Sequence, residues 1–210
     1  MMSGVIGLID YGAGNLTSVR KALAALDARV RVPQTPRELA DVAALIVPGV
    51  GNFKATSAMT EEWRDAILSA LGVGRPLLGI CLGLQWLFEG STEAPECSGL
   101  GLMNGRCDRL PSQPIGLNGE RPLLKIPHVG WNALHFPRLA TLFTGIDEGA
   151  QVYFTHSYAA PVTEDAAAVT TYGVPFASAV ERGQVFGVQF HPEKSGDIGL
   201  QVLRNFLANM

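Results

Sequence analysis

Cys81 stands in the run Gly79-Ile80-Cys81-Leu82-Gly83, with glycine two positions away on each side and the apolar stretch Leu77 to Ile80 leading into it. A thiol where a buried strand turns sharply into a helix has nucleophile-elbow geometry. The glycines fit, because the nucleophile adopts a strained backbone and strand and helix must pass close together. The amino end of the following helix favours the thiolate. Alone, the same five residues suit a small buried cysteine at a strand end equally well. A second signal lies far along the chain, where the apolar run Val185 to Phe190 ends in His191, Pro192 and Glu193. Residues two apart on an extended segment point the same way. His191 can therefore take the thiol proton on one ring nitrogen while Glu193 orients the ring by accepting from the other. Acyl chemistry also needs donors for an oxyanion. An elbow offers the N–H of the residue after the nucleophile, here Leu82. The loop Pro48-Gly49-Val50-Gly51 has the backbone freedom to present a second, although its spacing would serve an ordinary turn as well.

These residues need a scaffold, and the apolar pattern supplies one. Val5 to Ile9 reads as a strand, followed by a glycine-rich turn and a helical pattern through Val19, Leu23 and Leu26. Ala44 to Val47 and Leu77 to Ile80 repeat the grammar, with a helix from about Glu61 to Leu71 between them. Strands alternating with helices predict a parallel sheet covered on both faces, with the loops at the strands' carboxyl ends gathered on one edge. The second half reads as short strands at Val152 to Ser157, Ala177 to Glu181 and Val185 to Gln189, the last two joined by a tight turn at Arg182 and Gly183. Hairpin connections make the sheet mixed. A final helix is expected from about Ile198 to Leu207, and an exposed loop from Leu110 to Pro122. The expectation is one α/β domain over residues 1–210, with a central mixed, mostly parallel sheet flanked by helices.

Composition removes several functions. Sixteen basic and nineteen acidic residues give a net charge of −3, with no Lys/Arg stripe, so nucleic acid is not an expected partner. No apolar run reaches the roughly 18 residues of a membrane span, and Met1 to Asp10 lacks the features of a signal peptide, which predicts a cytoplasmic protein. Three cysteines, an odd number, fit reduced thiols. Cys97 and Cys107 lack the spacing of a zinc site, and His128, His135 and His156 are not grouped like metal ligands, so no metal or cofactor is expected. Trp131 and Tyr153 fit core aromatics of strands.

The runs G-I-C-L-G-L-Q (Gly79 to Gln85) and F-H-P-E-K-S-G (Phe190 to Gly196) resemble the class I, triad-type glutamine amidotransferases. So do I-D-Y-G-A-G-N-L from Ile9, P-G-V-G from Pro48, P-H-V-G-W-N from Pro127 and H-S-Y from His156, in the same order over nearly the whole chain. The resemblance implies that Cys81, His191 and Glu193 hydrolyse the side-chain amide of glutamine. It places glutamine against Gly49, Gly51, Gln85, Ser157 and Tyr158, with oxyanion donors from Val50 and Leu82. It further implies a (β/α)8-barrel synthase partner, facing Asn15, Trp131, Tyr153 and Lys194. That partner uses the ammonia to make imidazole glycerol phosphate and aminoimidazole carboxamide ribotide in histidine biosynthesis. Asn104 and the Leu110 to Pro122 loop depart from the family pattern, away from the triad. The triad and elbow alone would equally serve a glutaminase feeding anthranilate or pyridoxal phosphate synthesis, or a free-standing cysteine hydrolase. The K-S-G after Glu193 and the P-H-V-G-W-N segment favour the first reading.

Overall fold

The computed structural model describes residues 4–112 and 123–210. The first half runs β1 (Val5–Leu8), α1 (Leu16–Ala24), β2 (Arg29–Arg31), β3 (Ala44–Gly49), α2 (Glu61–Gly72), β4 (Leu77–Cys81) and α3 (Leu82–Leu87). It continues through β5 (Gly90–Ser91), β6 (Arg106–Arg109), β7 (His128–Ala133), β8 (Gln151–His156) and β9 (Tyr158–Ala159). The chain closes with β10 (Ala166–Tyr172), β11 (Val174–Arg182), β12 (Val185–Val188) and α4 (Gly196–Leu207).

Seven strands form the central sheet in the order β10-β11-β12-β4-β3-β1-β2. The five from β12 to β2 are parallel, β11 runs antiparallel to β12, and β10 reverses again against β11, so the sheet is mixed and mostly parallel as expected. Side-chain alternation distributes the core. Ala44 and Ile46 of β3 join Val19 and Leu23 of α1 and Leu203 and Phe206 of α4 on one face. Leu45 and Val47 join Ile67 of α2 and Leu84 and Leu87 of α3 on the other. Each buried Val, Leu, Ile or Phe among them stabilises the fold by about 1.5–3 kcal/mol. The result fixes β4 at the sheet's centre, between β3 and β12, and delivers Cys81, the Gly49 loop and His191 to one edge.

Two expectations are corrected, and several strands are added. The strand read at Val152 to Ser157 ends at His156 and does not enter the main sheet; it pairs antiparallel with β7 in a separate ribbon, His128 opposite His156. The strands β2, β7 and β10 are not evident in the sequence, because β2 is a three-residue edge with exposed arginines and β7 carries Val129 and Trp131 outward. The turn between β11 and β12 is Gly183 and Gln184, since Arg182 still pairs with Val185. Of the expected loop, residues 113–122 lie outside the described residues, and Leu110 at its start is buried.

Candidate active site

Cys81 ends β4 and begins the turn into α3 with φ 54° and ψ −106°, a left-handed conformation that a side chain adopts only at a cost of order 1–3 kcal/mol. The flanking glycines are explained by contact. A Cβ on Gly83 would overlap the Val47 carbonyl, and one on Gly79 would sit 2.5 Å from the Gly83 carbonyl oxygen. Leu82 is the first residue of α3, so its N–H is among the amides that helix geometry leaves free.

His191 follows β12, and its ring Nδ1 lies 2.7 Å from Glu193 Oε1, with both side chains 2% exposed. Because the carboxylate accepts, Nδ1 is the nitrogen that donates to it. Nε2 is buried and makes no hydrogen bond to a described residue. Burial disfavours the charged imidazolium, but the facing Cys81 sulfur and the Glu193 carboxylate outweigh it and push the His191 pKa up to about 9. The histidine is gripped through its backbone. His191 N–H donates to the Tyr153 carbonyl (2.9 Å), Tyr153 N–H to Ser195 Oγ (3.0 Å), and Ser195 Oγ–H to the His191 carbonyl (2.7 Å). Ser195, fully enclosed, was not singled out by spacing, and only its place after F-H-P-E-K hints at it.

Beside Cys81 opens a cavity of about 230 Å³. Val50, Gly51, Leu82, Gln85, Ser157 and Tyr158 line it, whereas Gly49 packs behind against Tyr11 and Leu82. Sequence reasoning missed Glu93, the one carboxylate in its wall among the described residues, which accepts from Phe53 N–H (2.7 Å). It also missed Gln189, fully buried against Cys81. The Val50 N–H is turned away from the cavity and donates to the Ala13 carbonyl at 2.6 Å. Gly51 follows at φ +93°, a conformation open to glycine.

Trp131 and Tyr153 are not core residues. Trp131 is 55% exposed and meets Tyr153 edge to face at 6.1 Å, while Lys194 Nζ lies 5.8 Å from the Tyr153 ring centre. Asn15 caps α1, whose side packs by the Pro192–Lys194 turn, but it makes no side-chain contact with the other three among the described hydrogen bonds.

Cys107 is buried, which raises its thiol pKa, and Cys97 is partly buried outside the cavity. No group of three metal-ligating side chains occurs among the described residues. Two histidines that looked unrelated in sequence do meet: His128 Nδ1 and His156 Nε2 are 3.1 Å apart, packed among Phe154, Tyr172 and Phe176. Burial lowers their pKa to about 4 and about 3, so both are neutral in the fold. Their stabilising contribution is complete above the unfolded pKa near 6.5 and is lost as pH falls toward these values. We predict that the Tm drops by roughly 5–10 °C between pH 6.5 and 4.5, with a shallower slope in His156→Gln, as thermal unfolding would show. An equal slope in the variant would remove the histidines from that account.

The elbow, sheet order and facing histidine define a class, and the sequence agrees: the chain belongs to the class-I glutamine amidotransferases, whose family pattern, Glutamine amidotransferase class-I, matches residues 7–210. Solved structures share the fold. A glutamine amidotransferase crystal structure superposes with a TM-score of 0.72 at 21% identity, covering 98% of each chain. PurLQS from Thermotoga maritima gives 0.74 at 19% identity, covering 97% of each. Nearer in sequence is the imidazole glycerol phosphate synthase subunit HisH of Moorella thermoacetica, 45% identical over 207 residues, which cover 96% of this chain and 93% of that one. HisH of Desulfitobacterium hafniense (strain DSM 10664 / DCB-2) is 46% identical with the same coverage. Within its class the chain belongs to this HisH family.

Proposed function

We propose that the chain is the cytoplasmic glutaminase subunit of an imidazole glycerol phosphate synthase, releasing ammonia from glutamine at Cys81 for a (β/α)8-barrel partner. The observation that carries the chemistry is the strained Cys81 elbow, faced by a Glu193-oriented His191 and opening on an amino-acid-sized cavity. Glutamine binds as a zwitterion, and Glu93 is the wall carboxylate suited to its ammonium group, with Gln85 and the Ser157–Tyr158 backbone ordering the rest. The Cys81 sulfur attacks the side-chain carbonyl carbon, and its oxygen becomes an oxyanion. His191, holding the thiol proton, passes it to the leaving nitrogen, and ammonia departs as a glutamyl thioester forms. Water then adds with His191 as base, releasing glutamate and restoring the thiol. The identity to HisH subunits and the K-S-G run favour the barrel partner of histidine biosynthesis over other synthases. Trp131, Tyr153, Lys194 and Asn15 form the proposed docking face, and the backbone contact from Tyr153 to His191 links that face to the triad.

Of the two proposed oxyanion donors, Val50 N–H is held by the Ala13 carbonyl at rest. That bond contributes about 1 kcal/mol, little enough for a docked partner to displace, whereas a missing oxyanion donor costs roughly 3–4 kcal/mol in the transition state. The chain alone is therefore expected to hydrolyse glutamine about two to three orders of magnitude more slowly than with the barrel and its ribotide. Gly51→Pro, which fixes φ near −65° where the resting loop has +93°, should remove most of this stimulation while synthesis from ammonia persists. Glutamate release by the chain alone, with barrel, and with barrel plus ribotide is the test. Equal rates in all three would sink the proposal.

A further inference from the structure

The parallel register of β12 against β4 sets Val188 beside Ile80, and the residues that follow them, Gln189 just past β12 and Cys81 at the end of β4, come together. Gln189 is wholly buried. A buried carboxamide is costly unless both its ends are satisfied, so what satisfies them indicates its role. Its Nε2 lies 3.6 Å from Cys81 Sγ, and its Oε1 lies 3.1 Å from Gln85 Nε2.

The direction of these bonds follows from chemistry. The Tyr158 carbonyl can only accept, and Gln85 Nε2 reaches it at 2.8 Å, so that atom is the amide nitrogen of Gln85. The second hydrogen on the same nitrogen then goes to Gln189 Oε1, which leaves the NH2 group of Gln189 facing the sulfur. The same carbonyl takes His156 Nδ1–H at 2.9 Å, fixing the anchor from a second side. Tyr158, Gln85, Gln189 and Cys81 thus form one directed chain from the cavity wall to the thiol.

We infer that Gln189 is a further catalytic residue of this site, its carboxamide donating to Cys81 Sγ to stabilise the thiolate and aim it at the cavity lined by Gln85. This rests on the reading of Cys81 as nucleophile. A donor to the charged form of a group favours that form, whereas a purely packing role for Gln189 would leave the ionisation of the thiol untouched.

The test is alkylation of the full-length chain by iodoacetamide over a pH series, with the Cys81 peptide quantified by mass spectrometry. Gln189→Met removes the donor at similar size. Gln189→Glu keeps the acceptor for Gln85 but makes thiolate and carboxylate share a proton, and it provides a second variant should the first fail to fold. Protection of buried Cys107 reports the fold in each. We expect either replacement to raise the pH midpoint of Cys81 alkylation by about one unit, making the reaction about tenfold slower below both midpoints, with Cys97 unchanged. Midpoints equal to wild type in the folded variants would overturn the assignment. Separately, glutamine hydrolysis by Cys81→Ser with the barrel would show that the nucleophile itself is misassigned; an inactive Cys81→Ser with unmoved midpoints would reject Gln189 alone.

Discussion

Cys81→Ser is expected to abolish glutamine-dependent synthesis by the chain and its barrel partner, while synthesis from added ammonium salts continues. The elbow holds one atom at the cavity floor, and a serine hydroxyl there would face a histidine poised for the more acidic thiol. Removing the nucleophile of a triad costs about six orders of magnitude, so turnover should fall below detection. The ring chemistry belongs to the partner in this account, which is why ammonia should bypass the lesion. A coupled assay with either nitrogen source measures both. Loss of both activities would contradict the division of labour.

Glu193→Gln is the second large effect. The carboxylate lies 2.7 Å from His191 Nδ1 with its side chain almost fully enclosed, so the amide would keep the shape while losing the charge that favours the imidazolium. Breaking such an orienting contact costs up to about four orders of magnitude in rate, still less than His191→Ala, which removes the proton carrier. Stability should respond with a definite sign. The raised His191 pKa contributes stability that is complete below about pH 6.5 and is lost as pH rises through about 9, and the variant should lack the part that Glu193 supplies beside Cys81. Wild-type glutamine turnover in Glu193→Gln would take the carboxylate out of the triad.

How legible the protein was in its sequence depended on whether a signal was local. Cys81 between Gly79 and Gly83, and His191 two residues from Glu193, are contiguous patterns with a direct geometric meaning, and the parallel strands β1, β3, β4 and β12 were plain because they are almost wholly buried. The ribbon of β7 and β8 was hidden because Val129 and Trp131 point outward, so no buried alternation marks the strand. The pairing of His128 with His156 depends on that cross-strand register, and no spacing along the chain encodes it. Gln189 was legible only once β12 was aligned with β4. Trp131 and Tyr153 went the other way: aromatic residues on strands suit a core by composition, and the exposure of Trp131 and half-burial of Tyr153 appear only when the ribbon is seen to stand outside the sheet.

The central claim is that glutamine is opened on the Cys81 sulfur, and it is tested most directly by catching the acyl group there. The chain with its barrel partner and ribotide would be mixed with glutamine, quenched in acid during turnover, digested and weighed. A glutamyl group is expected on the peptide containing Cys81, absent without glutamine and absent from Cys81→Ser. Glutamate release with the acyl group on another residue, or undiminished release by Cys81→Ser, would contradict it.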